Sequence, residues 1–497
     1  MGIHRLTLSD VLAEHRRSRP HETAVVDGSV RLTYPQLDTR VTKLANALAA
    51  QGVGPGDRVL WLGQNSYRVL ELLLAAARLG AVFCPANWRQ SADELAYVLD
   101  DLGPRVVAFE PSDAVAGARE SRTAAHWVED YEAFVAGGSD AEVPDDKDDR
   151  DPVLALYTAA FDGRPNAALL SHEALIAHSA ALLQVRQVEP GFTFLNCGPL
   201  FHVGTMMFCL TTFLSGGKNV FTPAFDAEEV CRLIDAERCT QAFLFGQMID
   251  ALVAANAGGK YDLSSLRFVS HSPEWDAMIT VDDSPWCSSK MGGYGQTEVG
   301  GMLTFLGLAP GAAGYAGRPS PFVQVRLLDA EGREVPDGEV GEICARGKSL
   351  FSGYHDRPEL NARKSAGGWH HTGDLGRREP DGTLTFIGPK LRMIKSGNEN
   401  IYPAEVERAL KTHPAVADAA VIGVPDERWK QAVKAIVVLA EGRTATAEEI
   451  VEHVRGAIAS YKKPRHVEFA GELPKKGFTP DYDALDARYG GGAYPGS

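Results

Sequence analysis

The stretch YTAAFDGRPNAALLSH, Tyr157 to His172, has the outline of a loop that holds the phosphates of a nucleotide: a Thr, a Gly-Arg-Pro and a closing Ser-His. Such a loop works through small hydroxyl side chains and glycine-freed backbone amides aimed at the anion. Here Ala159, Ala160, Phe161 and Asp162 stand where those donors belong, ahead of Gly163. Other short stretches carry chemistry more openly. Asp374 in WHHTGDLG is an acceptor-only carboxylate that can take two hydroxyl donors at once; by itself it also fits a loop Asp at a turn. Tyr294 in GYGQTE sits among glycines, where an aromatic is more often part of a turn. His202 in PLFHVG lies in an apolar segment, the setting of a satisfied core histidine. Gly397 in IKSGNENIYPAEVE opens a run of small and polar residues, which suits a thin ligand passing close to backbone.

The elements that must position these residues are of α/β type. From Leu8 to Glu110, helical apolar spacing in YPQLDTRVTKLANALAAQGV alternates with short apolar runs, DRVLWLG and RVVAFE, that read as buried strands. Alternation of this kind predicts largely parallel sheets covered by helices. An acidic, polar stretch, GGSDAEVPDDKDDRD, reads as a solvated connector. Strand, helix and strand resume in GKNVFTPAFDAEEVCRLIDAERCTQAFLFG. Between Gly314 and Gly388 closely spaced glycines predict hairpins of a small β barrel or sheet. Beyond Gly388 the pattern is that of a compact α+β unit.

The 497 residues are 44% hydrophobic and 23% charged, with a formal net charge of −15. That balance is globular, and it excludes the basic footprint that nucleic acid or an anionic membrane would need. The seven cysteines are scattered, without a C-x-x-C, which predicts buried thiols in a reducing, cytoplasmic setting and no metal site. VLELLLAAARLGAVF is too short and interrupted to span a bilayer and reads as a core helix running into a strand.

Taken in order, YT…GRP…LSH, PLFHVG, GYGQTE, GEICARGKSLFSGY, WHHTGDLG and IKSGNENIYPAEVE resemble the adenylate-forming superfamily of acyl-CoA synthetases, peptide-synthetase adenylation domains and luciferases. The resemblance implies a large N-terminal domain, residues 1–391, of two α/β subdomains and a β barrel, and a small mobile α+β C-terminal domain, 392–497. Arg392 falls at the hinge. It implies an AMP site at Asp374 (ribose), Tyr294 (adenine), Gly295, Thr297, Glu298, Ser272 and Pro273, with Glu298 also matching a carboxylate that helps hold magnesium. An acyl pocket is implied at His202, Phe245, Gly246, Gln247 and Gly293. The coenzyme A tunnel falls at Gly397, Asn398, Glu399 and Asn400, with Gly397 and His202 the residues nearest the chemistry; Asn398 replaces a usual glycine.

Three departures change the implied activity. The loop at Ala159 to Gly163 lacks its donors, and an Asp162 carboxylate about 5 Å from a phosphate charge would repel it by about 3 kcal/mol at an effective dielectric of ~20. Pro480 stands where the family has the lysine that reaches into the site during adenylation, and proline has neither a cation nor an N–H; Lys475 and Lys476 are adjacent substitutes in the wrong register. Pro389 replaces an arginine that contacts ribose. The first two losses concern pyrophosphate alone. The sequence therefore predicts a ligase for the second half-reaction only: acyl-AMP and coenzyme A as substrates, a separate adenylating enzyme as supplier, and no need for magnesium. A complete synthetase with rewired phosphate contacts and a non-catalytic adenylate-binding protein are the alternatives. Monomer and homodimer are both compatible with the resemblance.

Overall fold

The computed structural model describes residues 3–121, 125–144, 147–158, 165–186, 188–189, 191–284, 292–309, 311, 314, 316–329, 331–389, 392–476, 479–492 and 494. Two sheets, drawn from residues 23–242 and the short strand 353–354, organise the large N-terminal domain. One has seven strands in the order 353–354, 166–171, 152–158, 82–85, 58–62, 106–109, 126–128; its central members run parallel. The other has five, in the order 241–242, 193–196, 218–221, 23–27, 30–33. Segments adjacent in sequence are divided between them. Val25 at the start of the chain pairs with Asn219, and Leu154 pairs with Phe83.

The helix Tyr67–Leu79 is YRVLELLLAAARL, apolar nearly all round, and is buried along almost its whole length. A helix of that composition belongs in the centre of a layered fold. It starts at the Ser66 cap, ends at Gly80 with φ +66°, and runs into the strand Val82–Pro85, as the sequence predicts. The helix Tyr34–Ala50 lies beside it, fixed at its start by the reciprocal Thr33–Gln36 capping box. Leu37, Val41, Leu44 and Leu48, spaced three or four apart, are fully buried.

Strands Val323–Leu328, Val340–Gly347, His370–Arg378 and Leu384–Pro389 form an antiparallel four-stranded sheet. Here one reading of the sequence changes: Gly353–Tyr354, expected among these hairpins, crosses to pair with Ala168 and Leu169 at the edge of the seven-stranded sheet.

The small C-terminal domain has a mixed sheet of 394–396, 399–401, 416–426, 430–439 and 466–469. The helices Pro403–Lys411 and Ala447–Ala457 cover one of its faces through Val406, Leu410, Ile450 and Val454. The whole is a mixed α/β protein with a large N-terminal and a small C-terminal domain. Among the described residues six cysteines are buried free thiols, and no helix is long and apolar enough to cross a membrane.

Candidate active site

Asp374 lies on the strand His370–Arg378, its Oδ2 accepting from the Tyr294 hydroxyl at 2.6 Å and from Gln296 Nε2 at 3.3 Å. Gln296 also donates to the Tyr294 oxygen at 2.9 Å, and His370 Nε2 lies 3.0 Å from Gln296 Oε1. Burial pushes the Asp374 carboxyl up, and the Tyr294 bond opposes the shift. The Tyr294 ring stacks on Phe386 with centroids 5.5 Å apart, so one of its faces is already covered. Glycines flank it for a steric reason: a Cβ at Gly293 would stand 2.1 Å from the Thr304 carbonyl oxygen, and one at Gly295 would stand 2.0 Å from that of Gly301. Gly293 is thus a point of close backbone approach.

Thr297 opens the short turn Thr297–Val299 and is partly exposed. Glu298 is only 2% exposed, and its Oε1 accepts from the Tyr354 hydroxyl at 2.7 Å. Burial raises its pKa. Ser272 caps the short helix Pro273–Asp276, accepting from Trp275 N at 3.2 Å, while Pro273 is exposed.

His202 caps the helix Val203–Leu214 through Nδ1, which accepts from Gly204 N at 3.0 Å. The residue is exposed, but into a recess: desolvation by the surrounding protein pulls its pKa below the ordinary imidazole value, with Glu399 opposing and Lys395 and Arg89 reinforcing the shift. Phe245 and Gln247 are exposed, and a Cβ at Gly246 would lie 3.5 Å from the His271 ring. Phe245 ends a ladder of rings missed in the sequence. Phe192, Phe194, Phe208, Phe243 and Phe245 follow one another at centroid spacings of 6.5, 5.4, 5.8 and 4.7 Å, from the core to an exposed edge.

Gly397 and Asn398 form the two-residue turn between the strands Ile394–Ser396 and Glu399–Ile401, with Ser396 paired to Glu399. Gly397 has φ +60°, the glycine-first pattern of a type II′ turn. Asn398 is not among the residues with positive φ, so replacing the usual glycine there costs no backbone strain. Glu399 connects this hairpin to the large domain: Arg89 Nη1 donates to its Oε1 at 2.9 Å. The Arg89 guanidinium also lies over the rings of Phe201 and Tyr461, at 5.2 and 5.0 Å. Lys462 Nζ spans the same junction, bound to Glu94 at 2.9 Å and Glu405 at 2.6 Å, and Ser91 Oγ donates to Ala457 O at 3.1 Å. Asn400 accepts from Lys395 Nζ at 2.7 Å.

The loop residues Ala159, Ala160, Phe161, Asp162 and Gly163 lie outside the described residues. Their hairpin is described: Asn166 at its far end is buried, and its Oδ1 accepts from Arg357 Nε at 3.0 Å. Pro480 pairs with Lys475, whose Nζ is 3.1 Å from Asp418 Oδ2; the Lys476 side chain lies outside the description. Pro389 is the cross-strand partner of Asp374. Arg392 is held by Asp483 and Asp486 of the helix Tyr482–Tyr489. Gln296, His370, Arg89 and Lys462 join the site without having been singled out. Gln296 stood inside the quoted GYGQTE, whereas Arg89 and Lys462 had no local signal.

Residues 12–355 match the model of the AMP-binding enzyme family, and 405–477 that of the AMP-binding enzyme C-terminal domain. The chain belongs to this family, as an acyl-CoA ligase of the adenylate-forming superfamily. It is 39% identical to a feruloyl-CoA synthase of Amycolatopsis sp, over 93% of this chain and 95% of that one. It is 35% identical to an indoleacetate–CoA ligase of Aromatoleum aromaticum, over 95% of each. Among solved structures, the amide bond synthetase McbA from Marinactinospora thermotolerans matches with TM-score 0.81 and 26% identity, over 97% of this chain and all of that one.

Proposed function

We propose that this ligase performs only thioesterification, taking acyl-AMP and coenzyme A to acyl-CoA and AMP. The reading rests on the loss, in one chain, of both groups that handle pyrophosphate: the donors of the loop at Ala159 to Gly163 and the lysine replaced by Pro480. The pairing of Lys475 with Asp418 supports it, because the nearest substitute cation is already engaged. The groups that a monophosphate ester needs persist. Asp374 accepts the ribose hydroxyls, Tyr294 lies at the adenine, and the Gly397–Asn400 turn, docked on Arg89, lines the path of the pantetheine arm.

In the retained step the coenzyme A sulfur bonds to the acyl carbon, the bond from that carbon to the phosphate oxygen breaks with its electron pair leaving on AMP, and the thiol proton passes to solvent. The mixed anhydride is already activated, so alignment of thiol and carbonyl supplies much of the rate. His202 presents Nε2–H towards the acyl mouth, a donor suited to charge developing on the carbonyl oxygen. Glu298, buried against Tyr354, is poorly placed to hold magnesium, and a single phosphate charge does not demand it. A separate adenylating enzyme supplies the substrate. The combination of losses also resembles the non-adenylating ligase of the platensimycin and platencin pathway; on that resemblance the acyl group is a polycyclic diterpenoid carboxylate. The ladder ending at Phe245 favours a bulky or aromatic acyl group.

A complete synthetase is the second reading, favoured by the 39% identity to a feruloyl-CoA synthase. Paired assays separate the two. Acid, ATP and coenzyme A go in one tube and synthetic acyl-AMP and coenzyme A in the other, for ferulate, indoleacetate and a diterpenoid acid. Acyl-CoA from the second tube alone is the expected result. ATP-dependent product with release of pyrophosphate overturns the proposal in favour of the complete enzyme, and tight acyl-AMP binding without product from either tube leaves only a binding protein.

A further inference from the structure

The strands Val340–Gly347 and His370–Arg378 run antiparallel, and their register sets Cys344 opposite His371. Residues two apart on a strand share a face, so Glu342 joins Cys344 there. Three different electron-pair donors meet at one point. Cys344 Sγ is 3.3 Å from His371 Nδ1, His371 Nδ1 is 3.0 Å from Glu342 Oε2, and all three donor atoms lie within 4.8 Å of one another. Cys344 is fully buried, while the His371 side chain keeps 21% exposure, enough for an ion to approach from solvent.

The far side of the imidazole fixes what it offers. His371 Nε2 lies 3.2 Å from the carbonyl oxygen of Ala366, which can only accept. That carbonyl takes a proton on Nε2, which leaves Nδ1 as the ring atom that faces thiol and carboxylate. A lone pair 3.0 Å from a carboxylate is repulsive unless a proton or a cation lies between them. Imidazoles that ligate metals are held in this way, with the outer N–H on a backbone carbonyl or carboxylate. Glu342 is oriented as well, its Oε1 accepting from Gly373 N at 3.0 Å. Tetrahedral zinc, with Zn–S near 2.3 Å and Zn–N near 2.05 Å, needs about 3.5 Å between sulfur and nitrogen and about 3.3 Å between nitrogen and a carboxylate oxygen. The distances here come within about 0.3 Å of both.

We propose that Glu342, Cys344 and His371 bind a thiophilic divalent cation of the zinc class, with water as the fourth ligand. Binding forms a bond from the metal to Cys344 Sγ and releases the thiol proton to solvent. Magnesium and calcium, which take oxygen donors, do not suit a thiolate and an imidazole. Cysteine spacing gives no hint of the site, because its ligands come from paired strands.

Cobalt(II) tests it on the purified full-length protein freed of metal. One equivalent should produce a thiolate-to-cobalt charge-transfer band and the visible bands of a tetrahedral ion, both displaced by zinc. Cys344→Ser should abolish the charge-transfer band, Cys287→Ser should keep it, and His371→Gln or Glu342→Gln should weaken cobalt binding by at least about tenfold. Absence of the band in the wild type, or a band that survives Cys344→Ser, overturns the site. If Cys344→Ser fails to fold, zinc-edge X-ray absorption of the wild type decides. One sulfur near 2.3 Å supports the site, and a shell of nitrogen and oxygen alone refutes it.

Discussion

His202 carries a role fixed by its position at the start of a helix. A backbone amide can only donate, so the bond from Gly204 to Nδ1 requires a lone pair there and puts the proton of the neutral ring on Nε2. Desolvation favours the same neutral form. His202 should therefore meet its ligand as a donor and not as a base. His202→Asn keeps both a helix cap and an N–H, and its stability should stay within about 0.5 kcal/mol of the wild type. His202→Ala removes both, at about 1 kcal/mol of stability and a loss of about 10²-fold in kcat for thioester formation. The ratio of wild-type to His202→Asn rates, measured from acyl-AMP between pH 6 and 8, should be constant. A ratio that falls away near pH 6.5 would assign His202 a base role and sink the donor reading. Motif order in the sequence pointed to His202, Asp374 and Tyr294 as candidates, and Asp374 and Tyr294 are in direct contact. It was blind to the His370–Gln296 bond behind Asp374 and to the place of Phe208 between Phe194 and Phe243, because those contacts join residues far apart in sequence.

Among the elements, the hairpin Ile394–Ser396/Glu399–Ile401 has the most exacting backbone. Gly397 needs φ +60°, and a Cβ there would stand 3.1 Å from the Trp429 ring. Gly397→Ala should cost about 1 kcal/mol in strain and displace the turn from the proposed thiol path. The KM for coenzyme A should rise while the affinity for a non-hydrolysable acyl-sulfamoyl adenosine, measured by calorimetry, is unchanged. Equal losses in both would place the turn in the adenylate site instead. Asn398→Gly should leave coenzyme A kinetics within about twofold, since a mutation that touches neither strain nor packing changes little. Local periodicity reports helices and strands well, as the helix Tyr34–Ala50 and the strands Arg58–Leu62 and Val106–Phe109 illustrate. It says nothing about partners. The pairing of Val25 with Asn219, and the departure of Gly353–Tyr354 to the seven-stranded sheet, are decided by packing across hundreds of residues.

At the scale of the molecule, buried neutral histidines tie distant segments together. His172 Nδ1 accepts from Leu8 N at 3.2 Å, and His178 Nε2 accepts from Met302 N at 2.8 Å. A backbone N–H can be accepted only by an unprotonated ring nitrogen, so charging either ring on the accepting atom breaks a long-range bond. Burial lowers both pKa values to about 4. An unfolded histidine titrates near 6.5, so between about pH 6.5 and 4 the unfolded chain binds protons that the folded chain refuses. The stability these rings contribute is complete above pH 6.5 and is lost as the pH falls through that window. Buried Glu298 and Asp374, with raised pKa values, act in the opposite sense, so the raw acid profile mixes both signs. A difference isolates one ring. His178→Gln keeps an acceptor for Met302 N and adds no titratable group. Compared with the wild type in denaturant melts, it should gain about 1.4 kcal/mol per pH unit as the pH falls from 6.5 towards 4, and nothing between pH 7 and 8. A difference that does not vary with pH would mean that His178 protonates as easily in the fold as out of it, and that burial does not hold the ring neutral.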